Sequence, residues 1–281
     1  MPEPVIEVED LHVEYRLRGR SSAKQVICGV DLVINEGETL SLVGESGSGK
    51  STIGRALLGL APVSRGTVRF DGVDVTRMTR RQRRPHTAGL QAIFQDPYSS
   101  LNPAMTVESI LSEPLLARGV KDARRQVQQL LDSVQLPADA GRRLASEFSG
   151  GQRQRIAIAR ALALSPRLIV CDEPTSALDV STQARILALL RELQERTDVA
   201  YLFISHDLGV VRHISDRIAV LRHGEIVETG STVKVTSSPT HPYTRELLLA
   251  TPVTDPAEQE RRRRARLELR AQGGQQHHHA A

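Results

Sequence analysis

Residues 39 to 52 read Thr39-Leu40-Ser41-Leu42-Val43-Gly44-Glu45-Ser46-Gly47-Ser48-Gly49-Lys50-Ser51-Thr52. From residue 44 the stretch fits the phosphate-binding loop pattern G-x-x-x-x-G-K-[ST]. The apolar run before the loop is typical of a buried strand, and apolar residues recur after it at helical spacing, at Ile53, Ala56, Leu57 and Leu60. A strand, loop and helix in this order indicate a nucleoside triphosphate site. A plain Gly/Ser turn before a helix is the alternative.

The residue types of the loop suit phosphate chemistry. Glycines let backbone N–H groups curl around phosphate oxygens, and the Lys50 ammonium reaches the outer phosphates. The Ser51 hydroxyl is a ligand for Mg²⁺, and Thr52 lies beside the inner phosphate. We therefore predict that the whole loop binds nucleotide, through Gly44, Glu45, Ser46, Gly47, Ser48, Gly49, Lys50, Ser51 and Thr52.

Composition narrows the class of protein. Hydrophobic residues make up 40% of the 281 residues, but aromatic residues only 3%, so the core must be mostly aliphatic, as in parallel α/β sheets. A net charge of +4 does not by itself indicate nucleic acid, and Cys28 and Cys171 have no metal-ligand spacing. No apolar run reaches the roughly 18 residues that span a bilayer, and the N-terminus carries no signal sequence. We therefore expect a cytosolic protein.

The pattern along the chain predicts an α/β core with an insertion. Alternating residues from 5 to 34 predict antiparallel strands, and residues 98 to 165 show prolines and helical spacing. Strand signals return at 168–171, 200–205 and 217–221, separated by a helix, which predicts a parallel sheet. We therefore divide the chain into a first core part (1–97), a helical subdomain (98–165), a second core part (166–250) and a basic, disordered tail (251–281).

Two acidic residues end one predicted strand. Asp172 and Glu173 follow the apolar run 168–171, which is the arrangement expected of the acidic partner to a phosphate loop. Asp172 would hold Mg²⁺, and Glu173 would orient and deprotonate an attacking water. Capping of the following helix is the alternative role for the pair.

A second anion-binding element is predicted at Ser149-Gly150-Gly151-Gln152, which opens a helical run. Backbone N–H groups and the Ser149 hydroxyl lie at a helix N-terminus, where anions bind favourably. One chain with one triphosphate scarcely needs two such elements, unless the second serves a partner's nucleotide. Alternatively, Ser149 is a simple N-cap followed by flexible glycines.

Taken together, these motifs closely resemble the ATP-binding cassette (ABC) ATPases, over residues 5 to 250. The resemblance implies a P-loop core with a mainly parallel sheet, an antiparallel β subdomain and an inserted helical subdomain. It also implies ATP hydrolysis and Mg²⁺, with Ser51, Gln95 and Asp172 as metal ligands.

By the same resemblance, Tyr15 stacks on adenine, Gln95 senses the metal and the lytic water, and His206 contacts the γ-phosphate. Ser149 and Gly151 would touch ATP on the opposite subunit, and Asp179 would line the dimer seam.

Two of these assignments keep a simpler alternative. Tyr15 has the sequence setting of a half-buried strand aromatic. A lone His206 after an apolar strand is compatible with a purely structural role. The segment Ser205-His206-Asp207, however, falls where the family has its switch histidine.

A finer resemblance points to the ATPase subunits of oligopeptide, dipeptide and nickel importers. It rests on the segments 94–103, 147–152 and 241–244. It implies a second ATPase chain, two permease subunits, an extracytoplasmic binding protein and a peripheral position on the cytoplasmic face of the membrane. No cysteine follows Cys171, so we expect no iron–sulfur site.

The sequence disfavours two other functions. A soluble ABC ATPase acting on nucleic acid or ribosomes is suggested only by the arginines at 261–264, and the interval from Gln95 to Ser149 is too short for the long coiled coil of DNA-organising relatives. A small GTPase or nucleoside kinase is disfavoured because none of the four lysines lies in an N-K-x-D motif. We therefore expect no nucleic-acid partner.

Overall fold

The computed structural model describes residues 4–16, 23–96, 100–251, 259–261 and 263–266. Within these ranges the strands form two sheets, flanked by helices. The predicted α/β class is therefore confirmed. The disorder expected beyond residue 251 falls largely on positions outside the described ranges, as do Pro97 and Tyr98.

The first sheet is antiparallel. It contains β1 (Pro4–Arg16), β2 (Ala23–Asn35), β4 (Val63–Phe70) and β5 (Val73–Asp74), in the order β2-β1-β4-β5. The prediction of antiparallel strands between residues 5 and 34 is confirmed by the pairing of β1 with β2.

The second sheet carries the phosphate loop. Its order is β10-β9-β3-β8-β7-β6, and its strands are β3 (Thr39–Val43), β6 (Leu90–Ile93), β7 (Leu168–Asp172), β8 (Ala200–Ile204), β9 (Arg217–Arg222) and β10 (Glu225–Ser231). The pairs from β9 to β6 are parallel, as predicted, whereas β10 adds an antiparallel edge that the sequence did not indicate.

Helices cover both faces of this sheet. They are α1 (Lys50–Leu57), α2 (Arg80–Arg83), α3 (Val107–Ala117), α4 (Ala123–Ser133), α5 (Gly150–Leu162), α6 (Val180–Thr197), α7 (Leu208–Ile214), α8 (Thr232–Ser237) and α9 (Pro242–Ala250). Two 3-10 turns, Ala138–Arg142 and Ala145–Glu147, precede α5. No described helix has the length and apolarity needed to cross a membrane.

The hydrophobic core has two parts, one on each face of the second sheet. In β7, Ile169 and Cys171 join the cluster with the helical segment, whereas Leu168 and Val170 join the cluster with α1 and the first sheet. This alternation follows from the two-residue period of a strand whose two faces are both covered. Leu101 is only 3% exposed and lies in the first of these clusters, where its side chain packs the helical segment.

The site is positioned by the parallel strands. Because β3, β6, β7 and β8 run in the same direction, their carboxyl ends lie at one edge of the sheet. Ligands of open α/β sheets bind at this edge. Asp172 is the last residue of β7, and the phosphate loop, Gln95 and His206 follow the ends of β3, β6 and β8.

Candidate functional site

The phosphate loop joins β3 to α1 through backbone that requires glycine. Gly44 and Gly49 have φ angles of 152° and 111°, values that side chains disfavour. A Cβ atom on Gly44 would lie 2.2 Å from the carbonyl oxygen of Leu221, and one on Gly49 would lie 2.6 Å from Cδ1 of Ile27. The loop is therefore packed against β9 and β2, with no room for side chains at these two positions.

Lys50 is folded back into the loop. Its ammonium donates hydrogen bonds to the carbonyl oxygens of Gly44 and Glu45, each at 2.8 Å, and the residue is 5% exposed. Burial lowers the pKa of Lys50, while the negative charges of Glu173 and Asp172 oppose that change. A buried cation whose hydrogen bonds within the described part of the chain all go to neutral carbonyls is well placed to exchange them for phosphate oxygens.

Other groups of the loop also suit a phosphate ligand. The Ser48 hydroxyl oxygen is buried and, among the described residues, has no hydrogen-bond partner. Helix α1 begins after Gly49, which offers no side chain to cap the first N–H groups. Uncapped N–H groups at a helix N-terminus attract anions.

Ser51 and Asp172 form the next part of the site. The Ser51 hydroxyl donates to Oδ1 of Asp172 at 2.8 Å. Two oxygens that are neighbouring ligands of an octahedral Mg²⁺ at about 2.1 Å lie about 2.9 Å apart. The pair therefore fits this ion in both chemistry and spacing. Gln95, the third predicted ligand, lies exposed just after β6.

Glu173 and His206 meet at the ends of β7 and β8. Glu173 has a φ of 48°, and its N–H donates to the carbonyl oxygen of Ile204 at 3.0 Å. Its Oε1 lies 3.0 Å from Nδ1 of His206. Both side chains line a cavity of about 110 Å³ together with Thr175, Ser176, Gln183, Ser205, Asp207 and Val210. The strained turn thus directs the carboxylate to the histidine.

The predicted second anion element lies at the start of α5. The Ser149 hydroxyl accepts the Gln152 N–H, and the Gln152 side chain accepts the Ser149 N–H at 3.0 Å, which is a capping box. A Cβ atom on Gly151 would lie 2.5 Å from Cγ2 of Thr182. The adjacent cavity, about 110 Å³, is lined by residues of α5 and α6, and no described residue of the phosphate loop lines it.

Asp179 caps α6. Its Oδ1 accepts the Ser181 hydroxyl at 2.7 Å and the Thr182 N–H at 3.0 Å. These hydrogen bonds, the Ser181 hydroxyl first, hold the pKa of Asp179 well below its usual range. The carboxylate is therefore ionised at neutral pH, and it is bonded to Thr182, which lines the same cavity as Ser149 and Gly151.

Comparison with known proteins identifies the family. Residues 27–176 match the family model described as ABC transporter. The chain is 44% identical to the oligopeptide transport ATP-binding protein OppF of Lactococcus lactis subsp. lactis, over 94% of this chain and 86% of OppF. It is 47% identical to the oligopeptide transport ATP-binding protein AmiF of Streptococcus pneumoniae, over 91% of this chain and 84% of AmiF. The chain belongs to the ABC transporter family.

Solved structures agree with this assignment to the ABC transporter family. The dimeric ATP-binding cassette MJ0796 in a post-hydrolysis state bound to ADP and Pi superposes with a TM-score of 0.72 at 28% identity, over 81% of this chain and 98% of that chain. The cbiO1 protein of Clostridium perfringens gives a TM-score of 0.74 at 25% identity, over 84% and 92% of the two chains. This chain is accordingly an ABC ATPase that binds and hydrolyses ATP.

The structure brings together one group of the predicted residues and separates another. Lys50, Ser51, Asp172, Glu173 and His206 gather at the strand ends. Ser149, Gly151 and Gln152 line a different cavity together with Thr182 of α6, whose N–H is bonded to Asp179. Tyr15, the residue predicted to stack on adenine, lies on β1 and is partly buried against the core cluster that includes the first sheet.

Sequence reasoning missed Tyr243. Its hydroxyl accepts the Glu45 N–H, within the phosphate loop, at 3.0 Å. The segment His241-Pro242-Tyr243-Thr244 was noticed only as part of a family resemblance. Its Pro at the first helical position predicts a helix start, but nothing local indicates contact with a loop 198 positions earlier.

Proposed function

We propose that this ABC ATPase powers the import of peptides through membrane permease subunits. The observation that carries the proposal is the grouping of a buried lysine, a serine–aspartate pair and a glutamate–histidine pair at one sheet edge. The class of cargo is supported by the relatives OppF and AmiF, whose names describe oligopeptide transport.

The chemistry follows from the side chains. Lys50 and the loop N–H groups would bind the phosphates, and Glu173 would take the proton of the attacking water. His206, 3.0 Å from that carboxylate, would hold Glu173 in place and face the γ-phosphate. Ser51 and Asp172, with Gln95, would hold Mg²⁺, which neutralises charge on the phosphates when bound.

The active form would be a head-to-tail dimer. No described residue of this chain's own phosphate loop lines the cavity that contains Ser149 and Gly151, so this cavity is available to ATP held by a second chain. The dimeric state of the solved cassette MJ0796 supports this arrangement. ATP would close the dimer and hydrolysis would open it.

The helical subdomain would face the permease. A cavity of about 650 Å³ lies on the outer face of α3, lined by Thr106, Glu108, Ser109, Ser112, Glu113 and Leu116. Leu116 is 61% exposed, which suits an apolar contact with a short permease helix. Two permease subunits, an extracytoplasmic binding protein and the cytoplasmic face of the membrane complete the proposed assembly.

Copurification and transport test this function. The tagged chain should copurify with two membrane subunits, and vesicles holding the complex and its binding protein should take up a labelled oligopeptide only with ATP. A cysteine replacing Leu116 should crosslink to a membrane subunit, whereas one replacing Val233, which is 74% exposed on α8, should not. Isolation of nucleic acid or ribosomes in place of membrane subunits would contradict the proposal.

A further inference from the structure

Tyr243 lies outside the predicted site but touches it. The residue is 5% exposed, on α9, and its hydroxyl oxygen accepts the backbone N–H of Glu45 at 3.0 Å. Burial raises the pKa of Tyr243, so the phenol is neutral at neutral pH. The start of the phosphate loop is therefore bonded to a helix near the other end of the chain.

The ring of Tyr243 is itself held firmly. Nδ1 of His241 accepts the Tyr243 N–H at 3.2 Å, and the Glu228 carboxylate accepts the N–H groups of Thr240 and His241 at 2.7 and 3.1 Å. The Arg222 guanidinium lies 4.9 Å from the ring centroid, within the range of a cation–π contact. The second sheet, through β9 and β10, thus fixes the position of the hydroxyl.

Both backbone polar groups of Glu45, its N–H and its carbonyl oxygen, make hydrogen bonds. The N–H is bonded to Tyr243, and the carbonyl oxygen accepts Lys50 at 2.8 Å and the Ser48 N–H at 3.2 Å. Lys50 must leave that carbonyl when it turns to a phosphate. The bond to Tyr243 does not depend on Lys50, so it remains to fix the first part of the loop.

We propose that Tyr243 is a positioning residue for ATP binding: its hydroxyl anchors the Glu45 amide and keeps the phosphate loop in its binding shape. This inference rests on the proposed binding of ATP phosphates by the loop. A loop that is already ordered loses less conformational entropy on binding, and its affinity is higher for that reason. The Glu45 N–H, being bonded to Tyr243, is not among the donors left for phosphate.

Replacing Tyr243 by phenylalanine tests the anchor, because the ring and its contact with Arg222 are kept. The matched control is Tyr201→Phe, which removes a fully buried hydroxyl that donates to Leu190 at 3.1 Å, near the opposite end of the sheet. We expect ATP affinity of the full-length chain to fall roughly fivefold in Tyr243→Phe, the size of a lost hydrogen bond, and to stay within about twofold in Tyr201→Phe. Thermal unfolding should change similarly in both variants.

Amide hydrogen exchange supplies a second readout, which does not depend on measuring ATP affinity. The Glu45 amide of the wild-type chain should exchange slowly without nucleotide, and Tyr243→Phe should speed it while leaving the amides of α6 unchanged. A rapidly exchanging wild-type Glu45 amide would overturn the inference, as would unchanged ATP affinity in Tyr243→Phe. If the wild-type chain bound no ATP, the proposed function itself would fail. If the wild-type chain bound ATP and Tyr243→Phe bound it equally well, only the role proposed for Tyr243 would fail.

Discussion

Nδ1 of His206 lies 3.0 Å from Oε1 of Glu173, so the histidine at the end of β8 holds the carboxylate at the end of β7. Glu173 stands in a left-handed conformation, with a φ of 48°. Strained residues of this kind are often found at functional sites. The contact joins the two side chains that we assign to water activation and γ-phosphate contact.

Glu173→Gln should abolish ATP turnover and leave ATP binding intact. The amide keeps the shape of the side chain but cannot take a proton, while Lys50 and Ser51 still bind phosphate and metal. The variant should therefore accumulate as an ATP-bound dimer, which size-exclusion chromatography with ATP would detect. Glu195→Gln, an exposed change on α6, is the control and should behave as wild type. Near-normal turnover by Glu173→Gln would remove this residue from the catalytic role.

His206→Ala should reduce kcat by about a hundredfold, within the range for groups that assist proton transfer. ATP affinity should change little, because the phosphate loop is untouched. Steady-state hydrolysis and nucleotide binding would be measured side by side. An affinity loss as large as the loss of kcat would instead indicate a binding role.

Gly151 and Thr182 should be coupled. Gly151→Ala would put a methyl group 2.5 Å from Cγ2 of Thr182, and overpacking of this kind costs about 1–3 kcal/mol. Thr182→Ser removes Cγ2, so the double variant should regain most of that free energy of unfolding. Urea denaturation of the four proteins in the cycle checks this. If the changes in free energy of unfolding of the two single variants simply added in the double variant, there would be no steric clash between the two side chains.

Glu228 should stabilise the fold in a pH-dependent way. Burial raises the pKa of Glu228, but hydrogen bonds from the backbone N–H of Thr240 and from other groups lower it by a larger amount. The net result is a pKa of about 2, compared with the usual 4.5. Because the folded-state pKa is depressed, the stabilisation is complete above about pH 4.5 and is lost as pH falls toward 2. Glu228→Gln should therefore cost about 1–3 kcal/mol at pH 7 and progressively less below pH 4.5. Urea unfolding at several pH values would measure this, and a pH-independent difference would contradict it.

Local signals predicted much of this molecule. The strand before Gly44, the helix after it and the N-cap at Ser149 depend on residues that are adjacent in sequence, so the pattern alone indicates them. The burial of Leu101 and the bond between Tyr243 and Glu45 depend instead on segments far apart in sequence. Such contacts arise only when the sheet brings the segments together, and no periodicity of one segment reveals them.

We expect each ATP site to be shared between two chains. Chains carrying Ser149→Arg and chains carrying Lys50→Ala, each with its own affinity tag, would be mixed and the mixed dimers isolated through both tags. One site of each mixed dimer then has an intact phosphate loop and an intact partner segment, while both lesions fall in the other. We predict that these dimers hydrolyse ATP at a rate well above that of either parent homodimer. Isolated mixed dimers with no more activity than the parents would contradict it.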